Sequence, residues 1–204
     1  MALSIHWEWR GFGAVSDRFR RRFDRLASVF GSEPQRIVDE YLWIPDVHVN
    51  LKFRQGTGWQ DGLKFKRLAE TREAFERWNE SIAEVFPFPL SRQAWQLLLA
   101  EMKADGHRPP RNAGRDEAVR FLQSIDPRIR TVVVRKERQS HRWGSLGEVR
   151  IELAEISSPL PMTSVGLEAE AISHLQDAID GLRLHDERLE EMNYLDYMKR
   201  CAGK

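Results

Sequence analysis

The sequence predicts an α+β fold: an antiparallel β-barrel, or tunnel, with a charged lumen, covered outside by helices. Three observations predict it. Eight basic side chains stand at alternate positions of predicted strands: Arg10, Lys52, Arg54, Lys64, Lys66, Lys136, Arg138 and Arg150. In His48 to Arg54, for example, Val49, Leu51 and Phe53 fall on one face and Asn50, Lys52 and Arg54 on the other. Two further strands put carboxylates on the polar face, Glu8 between Trp7 and Trp9, and Glu168 with Glu170 around Ala169. Finally, a run of strands, a helical stretch and a second run of strands is the order of an antiparallel α+β domain. A solvated sheet face also alternates, but it usually carries Thr, Ser, Gln and mixed charges. Strands with Lys-x-Lys or Lys-x-Arg side by side repel unless something anionic lies among them. A barrel turns such a face inward only when its lumen holds water or a ligand. Trp7, Trp9, Phe53 and Phe65 would then face outward, under the helices.

The elements follow from local pattern. A first strand, Leu3 to Arg10, ends at Gly11 and Gly13. A helix is expected from about Ser16 to Phe30, with Phe19, Phe23, Leu26 and Phe30 as its apolar stripe. Its other face carries Arg18, Arg21, Arg22 and Arg25, the pattern of a solvated amphipathic face or of a patch for nucleic acid or an acidic partner. Strands follow at Arg36 to Ile44, Val47 to Gln55 and Gly62 to Leu68, separated by Pro45-Asp46 and Gly56-Thr57-Gly58. A helical insertion is expected at about 70–126, because Phe75, Trp78, Ile82 and Val85 form a helical stripe. Within it Ser91 is a plausible N-cap for a helix bearing Trp95, Leu98, Leu99 and Met102. Gly106 to Gly114 reads as a polar loop, and Ala118, Phe121 and Leu122 mark a short helix. Strands resume at Arg130 to Arg138, Glu148 to Ile156 and Met162 to Ala171. A helix with Ile172, Leu175, Ile179 and Leu182 and a last helix in the tail complete one domain, 1–204.

Bulk properties narrow the function. With 204 residues and 31% charged residues, the chain suits one soluble globular domain rather than a disordered segment. A net charge of +1 gives no global field for nucleic acid, so an anion site must come from local segregation of charge. The single Cys201 cannot form an intrachain disulfide, which makes a reducing cytoplasm the default. The first ten residues lack the apolar core of a signal peptide, and no run approaches a membrane span. There is no Walker-type loop, zinc spacing or nucleophile elbow.

The ordered motifs His6-Trp7-Glu8-Trp9-Arg10, Lys52-Phe53-Arg54, Lys64-Phe65-Lys66, Lys136-Glu137-Arg138 and Glu168-Ala169-Glu170 resemble the CYTH-like superfamily, the triphosphate tunnel metalloenzymes. That family opens with Glu-x-Glu-x-Lys, continues with paired basic strands and ends in Glu-x-Glu. The likeness spans about residues 4 to 184. It implies a tunnel in which Arg10, Lys52, Arg54, Lys64, Lys66, Lys136, Arg138 and Arg150 bind a triphosphate, nucleotide or polyphosphate chain. It also implies Mg²⁺ or Mn²⁺ held by Glu8, Glu152, Glu168 and Glu170, with Glu8, Glu168 and Glu170 in catalysis. The chain departs from the pattern where His6 replaces the first Glu and Arg10 the Lys. Ala154 stands near a position that is acidic in many members, with Glu155 adjacent. Imidazole is a poor ligand for a hard ion, so the metal half reads as eroded and the anion half as intact. The expectation is a binder of a small polyanion, with or without metal-dependent phosphohydrolase activity. The alternatives are a non-catalytic nucleotide or polyphosphate sensor and an RNA-binding module. The alternative for Glu168, Glu170 and Glu8 is salt bridging to neighbouring basic strands.

Overall fold

The computed structural model describes residues 3–28, 33–55 and 62–203, leaving the side chains of residues 3–5, 54, 55 and 80–84 undescribed. In chain order the elements are β1 (Leu3–Ala14), α1 (Asp17–Phe23), β2 (Ala27–Ser28), β3 (Gln35–Trp43), β4 (Val49–Gln55), β5 (Gly62–Arg72) and β6 (Phe75–Pro87). Then come α2 (Arg92–Glu101), α3 (Arg115–Ile125), β7 (Arg130–Trp143), β8 (Val149–Ser158), β9 (Met162–Ala169), α4 (Ile172–Leu182), β10 (Arg188–Glu191) and α5 (Tyr194–Ala202).

Eight strands close on themselves in the order β1-β6-β5-β4-β3-β7-β8-β9, and β9 pairs back onto β1. Every neighbouring pair is antiparallel. Closure depends on the length of β1, which pairs with β6 through Leu3 to Glu8 and with β9 through Trp7 to Gly13. The strand therefore runs on through Gly11 and Gly13 instead of stopping there. At Gly13 a Cβ would collide with the Arg188 carbonyl, so glycine is what lets β10 lie against the end of β1.

On two sides of the barrel the outward faces are apolar and covered by helices, whereas β7 exposes Arg135 and Glu137. Trp7, Trp9, Ile151, Leu153, Val165 and Leu167 pack with Phe19 and Phe23 of α1 and with Leu175, Ala178 and Ile179 of α4. Leu51, Phe53, Leu63 and Phe65 pack under Trp95 and Leu98 of α2 and Ala118 and Leu122 of α3. The inversion expected from the strand pattern is thus present. Apolar residues lie outside under helices, and charges lie within.

A third cluster sits at one end of the barrel. Phe12, Tyr41, Val132, Val134 and Ile156 meet Tyr194, Tyr197 and Met198 of α5. Phe12 stacks on Tyr197 at 5.1 Å and meets Tyr194 edge-on at 5.3 Å. The helix starts cleanly because Asn193 and Asp196 form a reciprocal capping box. Through this contact α5 stoppers the barrel beneath its charged section.

Two expected helices differ. The stretch around Phe75 to Val85 is strand β6, and helices occupy only Arg92–Glu101 and Arg115–Ile125 of the expected insertion. The spacing of Phe75, Trp78, Ile82 and Val85 fits a helical period, but pairing to both β1 and β5 overrides it. Helix α1 stops at Phe23 rather than Phe30, because the chain turns to pair Ala27 and Ser28 with Arg142 and His141. Phe30 lies outside the described residues.

Leu167 is fully buried between β9 and α4. Leu167→Ala is expected to cost about 2–5 kcal/mol, seen in urea unfolding as a lower midpoint with an unchanged slope.

Candidate anion-binding interior

Residues directly opposite one another in an antiparallel ladder project to the same face. Glu8 is opposite Glu76 on β6 and Glu168 on β9, and Glu168 is opposite Arg150 on β8. One interior row therefore reads Glu76, Glu8, Glu168, Arg150. On the other side of the barrel Lys52 of β4 stands opposite Lys64 of β5, and Asn50 opposite Lys66. These residues line a single cavity together with Arg10, Trp78, Lys136, Arg138, Glu152, Asn193 and Tyr194. The register thus segregates charge, with carboxylates on β6, β1 and β9 and lysines on β4 and β5. Among the lining residues seven basic side chains face four acidic ones.

The floor of the cavity is an ion-pair network. Glu152 accepts from Arg10 Nη1 and Arg138 Nη1, each at 3.2 Å, and lies 3.9 Å from Lys136 Nζ. Arg10 also donates to Ser164 Oγ at 2.9 Å and lies over the Tyr194 ring. A Cβ at Gly166 would meet the Arg10 guanidinium at 2.6 Å, so this glycine leaves the space in which Arg10 lies. Lys136 donates to the Tyr194 hydroxyl at 2.8 Å, and the fully buried Asp39 takes Lys136 at 3.7 Å and Lys52 at 3.5 Å. Burial would raise the Glu152 carboxyl, but Lys136, Arg10, Arg138 and Arg150 outweigh it and hold the group well below the usual carboxylate range. Burial would lower the Arg10 guanidinium, but Glu152 heads the charges that raise it.

Above this floor lies the carboxylate row. Glu8 Oε1 bonds to His6 Nε2 at 2.6 Å and accepts from Lys66 Nζ. Burial opposes its ionisation, yet Lys66, His6 and Arg10 hold Glu8 well below the ordinary range. Its neighbour Glu76 goes the other way. Burial pushes Glu76 up, against hydrogen bonds from Asn193 and the Trp78 indole, and the charges of Glu8 and Asp196 add to the rise. One ligand atom each from His6, Glu8 and Glu168 lie within 4.8 Å of one another, a spacing that can hold a metal ion. On the basic side, Arg138 Nε and Asn50 Oδ1 are buried without a hydrogen-bond partner among the described residues. A buried guanidinium N–H without a partner is costly, and a phosphate oxygen is the acceptor that suits it.

Of the residues expected from sequence, Glu8, Arg10, Lys52, Lys64, Lys66, Lys136, Arg138, Arg150, Glu152 and Glu168 all line this cavity. The backbone of Arg54 continues β4, but its side chain lies outside the described residues. Glu170 is exposed in the bend after β9, which ends at Ala169, and it is not among the lining residues. Ala154 is buried, whereas Glu155 turns outward to Arg20 at 2.6 Å. The arginine-rich face of α1 is partly neutralised, since Arg22 also pairs with Glu187. Sequence reading placed Asn50 on the polar face without a role, and did not assign Asp39, Glu76, Trp78, Asn193 and Tyr194 to the interior. Glu76 and Trp78 alternate in Phe75-Glu76-Arg77-Trp78 and were legible as a strand face. Asn193 and Tyr194 carry no such signal, because only the packing of α5 brings them to the cavity.

No protein-family model matches the chain, and no curated protein matches its sequence. Solved structures do match it in fold. A conserved hypothetical protein from Pyrococcus furiosus is 14% identical over 94% of this chain and 98% of its own, with a TM-score of 0.53. A putative adenylyl cyclase from Hippeastrum, described as having a dominant triphosphatase activity, is 14% identical over 91% of this chain and 90% of its own, with a TM-score of 0.53. A putative adenylate cyclase from Bacillus halodurans is 14% identical over 90% and 92%, with a TM-score of 0.50. These likenesses show the fold. No helix among the described residues is long and apolar enough to cross a membrane.

The carboxyls of this interior titrate in opposite directions. The stabilisation from Glu8 and Glu152 is present above the ordinary value of 4.5 and is lost as pH falls below it. That from Glu76 has the opposite sign, full below 4.5 and lost as pH rises through its higher folded value. Carboxyl ¹³C NMR is expected to show the Glu76 midpoint above 4.5 and those of Glu8 and Glu152 below it. A Glu76 midpoint at or below 4.5 would contradict this electrostatic picture.

Proposed function

We propose that this barrel is a CYTH-like triphosphate tunnel that binds a triphosphate, nucleotide or polyphosphate chain and hydrolyses it with a divalent metal. The observation that carries the reading is the segregation of the lining. Lys52 and Lys64 face each other across one ladder, while Glu8 stands between Glu76 and Glu168 across two others. Neither arrangement is favourable by itself. A phosphate chain between the two walls, with a cation against the carboxylates, satisfies both. The excess of three positive charges in the lining is of the right sign for a polyanion and too small to neutralise a triphosphate alone. The activities attributed to the Hippeastrum and Bacillus proteins, triphosphatase and adenylate cyclase, act on the same chemical class.

In this reading Lys52, Lys64, Lys66 and Arg138 hold phosphate oxygens and neutralise charge that develops as the terminal phosphoryl group is transferred. Arg54 and Arg150 extend the same role. Arg10, Lys136 and Glu152 form a rigid base that fixes the depth of the chain, with Tyr194 beneath it. The residues present fit a divalent ion, because His6, Glu8 and Glu168 offer an imidazole and two carboxylates within reach of one centre. Bound there, a divalent ion would supply Lewis acidity and an activated water. Glu8 and Glu168 would hold it, while Glu152 serves its three basic neighbours and Glu170 lies outside the lining.

One observation favours a second reading. Glu8 is already bonded to Lys66 and His6 through one oxygen, and the paired acidic motif of the last strand contributes only Glu168 to the cavity. A tunnel so arranged suits a sensor that binds the chain without cleaving it.

Calorimetric titration of tripolyphosphate and ATP, with Mg²⁺, Mn²⁺ or EDTA, together with phosphate release on the same samples, separates these readings. Lys52→Ala and Lys64→Ala each remove a charge-assisted contact of about 1.5–3 kcal/mol. Each is therefore expected to weaken tripolyphosphate binding by roughly ten- to a hundredfold. Metal-dependent release identifies a hydrolase, and binding without release a sensor. Affinity unchanged in both variants would overturn the tunnel assignment.

A further inference from the structure

His6 brings an imidazole nitrogen to the group of side chains spaced to hold a metal ion. It lies two residues before Glu8 on β1, on the same face, opposite Trp78, and at the end of the carboxylate row away from the α5 stopper. Its Nε2 is 2.6 Å from Glu8 Oε1, and Glu168 completes the set from β9. This is a mixed donor set of one imidazole and two carboxylates. The three residues come from two adjacent strands locked in register, so the site is built before any ion arrives.

The donor chemistry decides which ion such a set prefers. Mg²⁺ seeks an octahedron of oxygens, keeps several waters and gains little from imidazole. First-row transition ions gain much more from a nitrogen ligand, in the order Mn²⁺, Fe²⁺, Co²⁺, Ni²⁺, and Zn²⁺ also takes imidazole and carboxylate together. As a ligand the ring would be neutral, with its proton on Nδ1, and Nε2, now 2.6 Å from Glu8 Oε1, would be the donor atom. Lys66 is a long, flexible side chain and can swing from Glu8 towards a bound anion as the ion takes its place.

We propose that His6, Glu8 and Glu168 form a transition-metal site, selective for ions such as Co²⁺ and Zn²⁺ over Mg²⁺, and that His6 is the residue that sets this selectivity. The inference rests on the tunnel reading for the purpose of the metal, and not for its binding. A histidine at this position thus decides which ion the site takes and does not abolish the site.

The test uses the full chain and the metal alone. Calorimetry gives Kd for Co²⁺, Zn²⁺ and Mg²⁺ in the wild type and in His6→Glu, and the visible spectrum of bound Co²⁺ reports nitrogen ligation. The ratio of Mg²⁺ to Co²⁺ dissociation constants is expected to fall by roughly tenfold or more in His6→Glu, the scale on which changes around a metal's ligands act. An unchanged ratio overturns the proposal. Should His6→Glu not fold, ¹⁵N-histidine NMR of the wild type decides. Zn²⁺ must shift the His6 Nε2 resonance, assigned with His6→Asn, and a resonance that does not move refutes ligation. Tripolyphosphate titration in EDTA is run in parallel. Its failure would strike the tunnel reading and leave the metal result standing.

Discussion

Charges of one sign that face each other across a β-ladder must be neutralised, and this barrel contains two such arrangements. Lys52 opposes Lys64, and Glu8 lies between two other glutamates. In an open sheet both sets would be screened by water. Here the ladder closes, and the groups are brought into one enclosed space where the effective dielectric is lower and each charge acts on the others. The barrel meets part of this demand internally. Glu152 serves Arg10, Arg138 and Lys136, and Asp39 serves Lys52 and Lys136. Lys66 also bonds to Glu8, and Arg150 pairs with Glu168. The lining as a whole still carries more basic than acidic side chains. That excess of basic side chains is the physical basis of the proposed polyanion binding.

The rest of the architecture follows from turning the polar face inward. Strands on two sides of the barrel then present apolar faces outward, and helices must cover them, whereas β7 turns Arg135 and Glu137 to solvent. Pairs α1 with α4 and α2 with α3 bury the two largest outward clusters. The stopper follows too. Residues below the charged section alternate into the same interior but are apolar or aromatic, among them Phe12, Tyr41, Val132 and Val134. They would face an open end without α5. Tyr194 joins the two regions, since its ring packs against Phe12 and Tyr41 while its hydroxyl accepts from Lys136. A ligand that reaches the cavity meets the Tyr194 and Lys136 pair as its inner limit.

Much of this was legible in the sequence, and for a definite reason. Alternation has a period of two, so Lys52, Lys64, Lys66, Arg150 and Glu168 could be assigned to one face without knowing which strands pair. Glu76 was lost because the apolar spacing around it also fits a helix, and only pairing on both sides settles that ambiguity. Glu170 obeyed the parity but not the strand, since β9 ends one residue earlier. Asp39 sits in a strand whose other residues gave no charged alternation, and Tyr194 reaches the site through a tertiary contact of the last helix. Parity is local information, whereas strand ends and helix docking are not.

The most direct test of the central claim, that the interior is organised around a polyanion, is thermal unfolding of the intact protein with tripolyphosphate in EDTA. The control is chloride at matched ionic strength. A ligand at a hundredfold its Kd stabilises the folded state by about 2.7 kcal/mol. For a chain of this size that corresponds to a rise in Tm of roughly 5–10 °C. A rise beyond the chloride control, growing with ligand concentration, is the predicted result. An unfolding temperature that follows ionic strength alone would contradict the account and leave the interior a self-neutralised salt-bridge network.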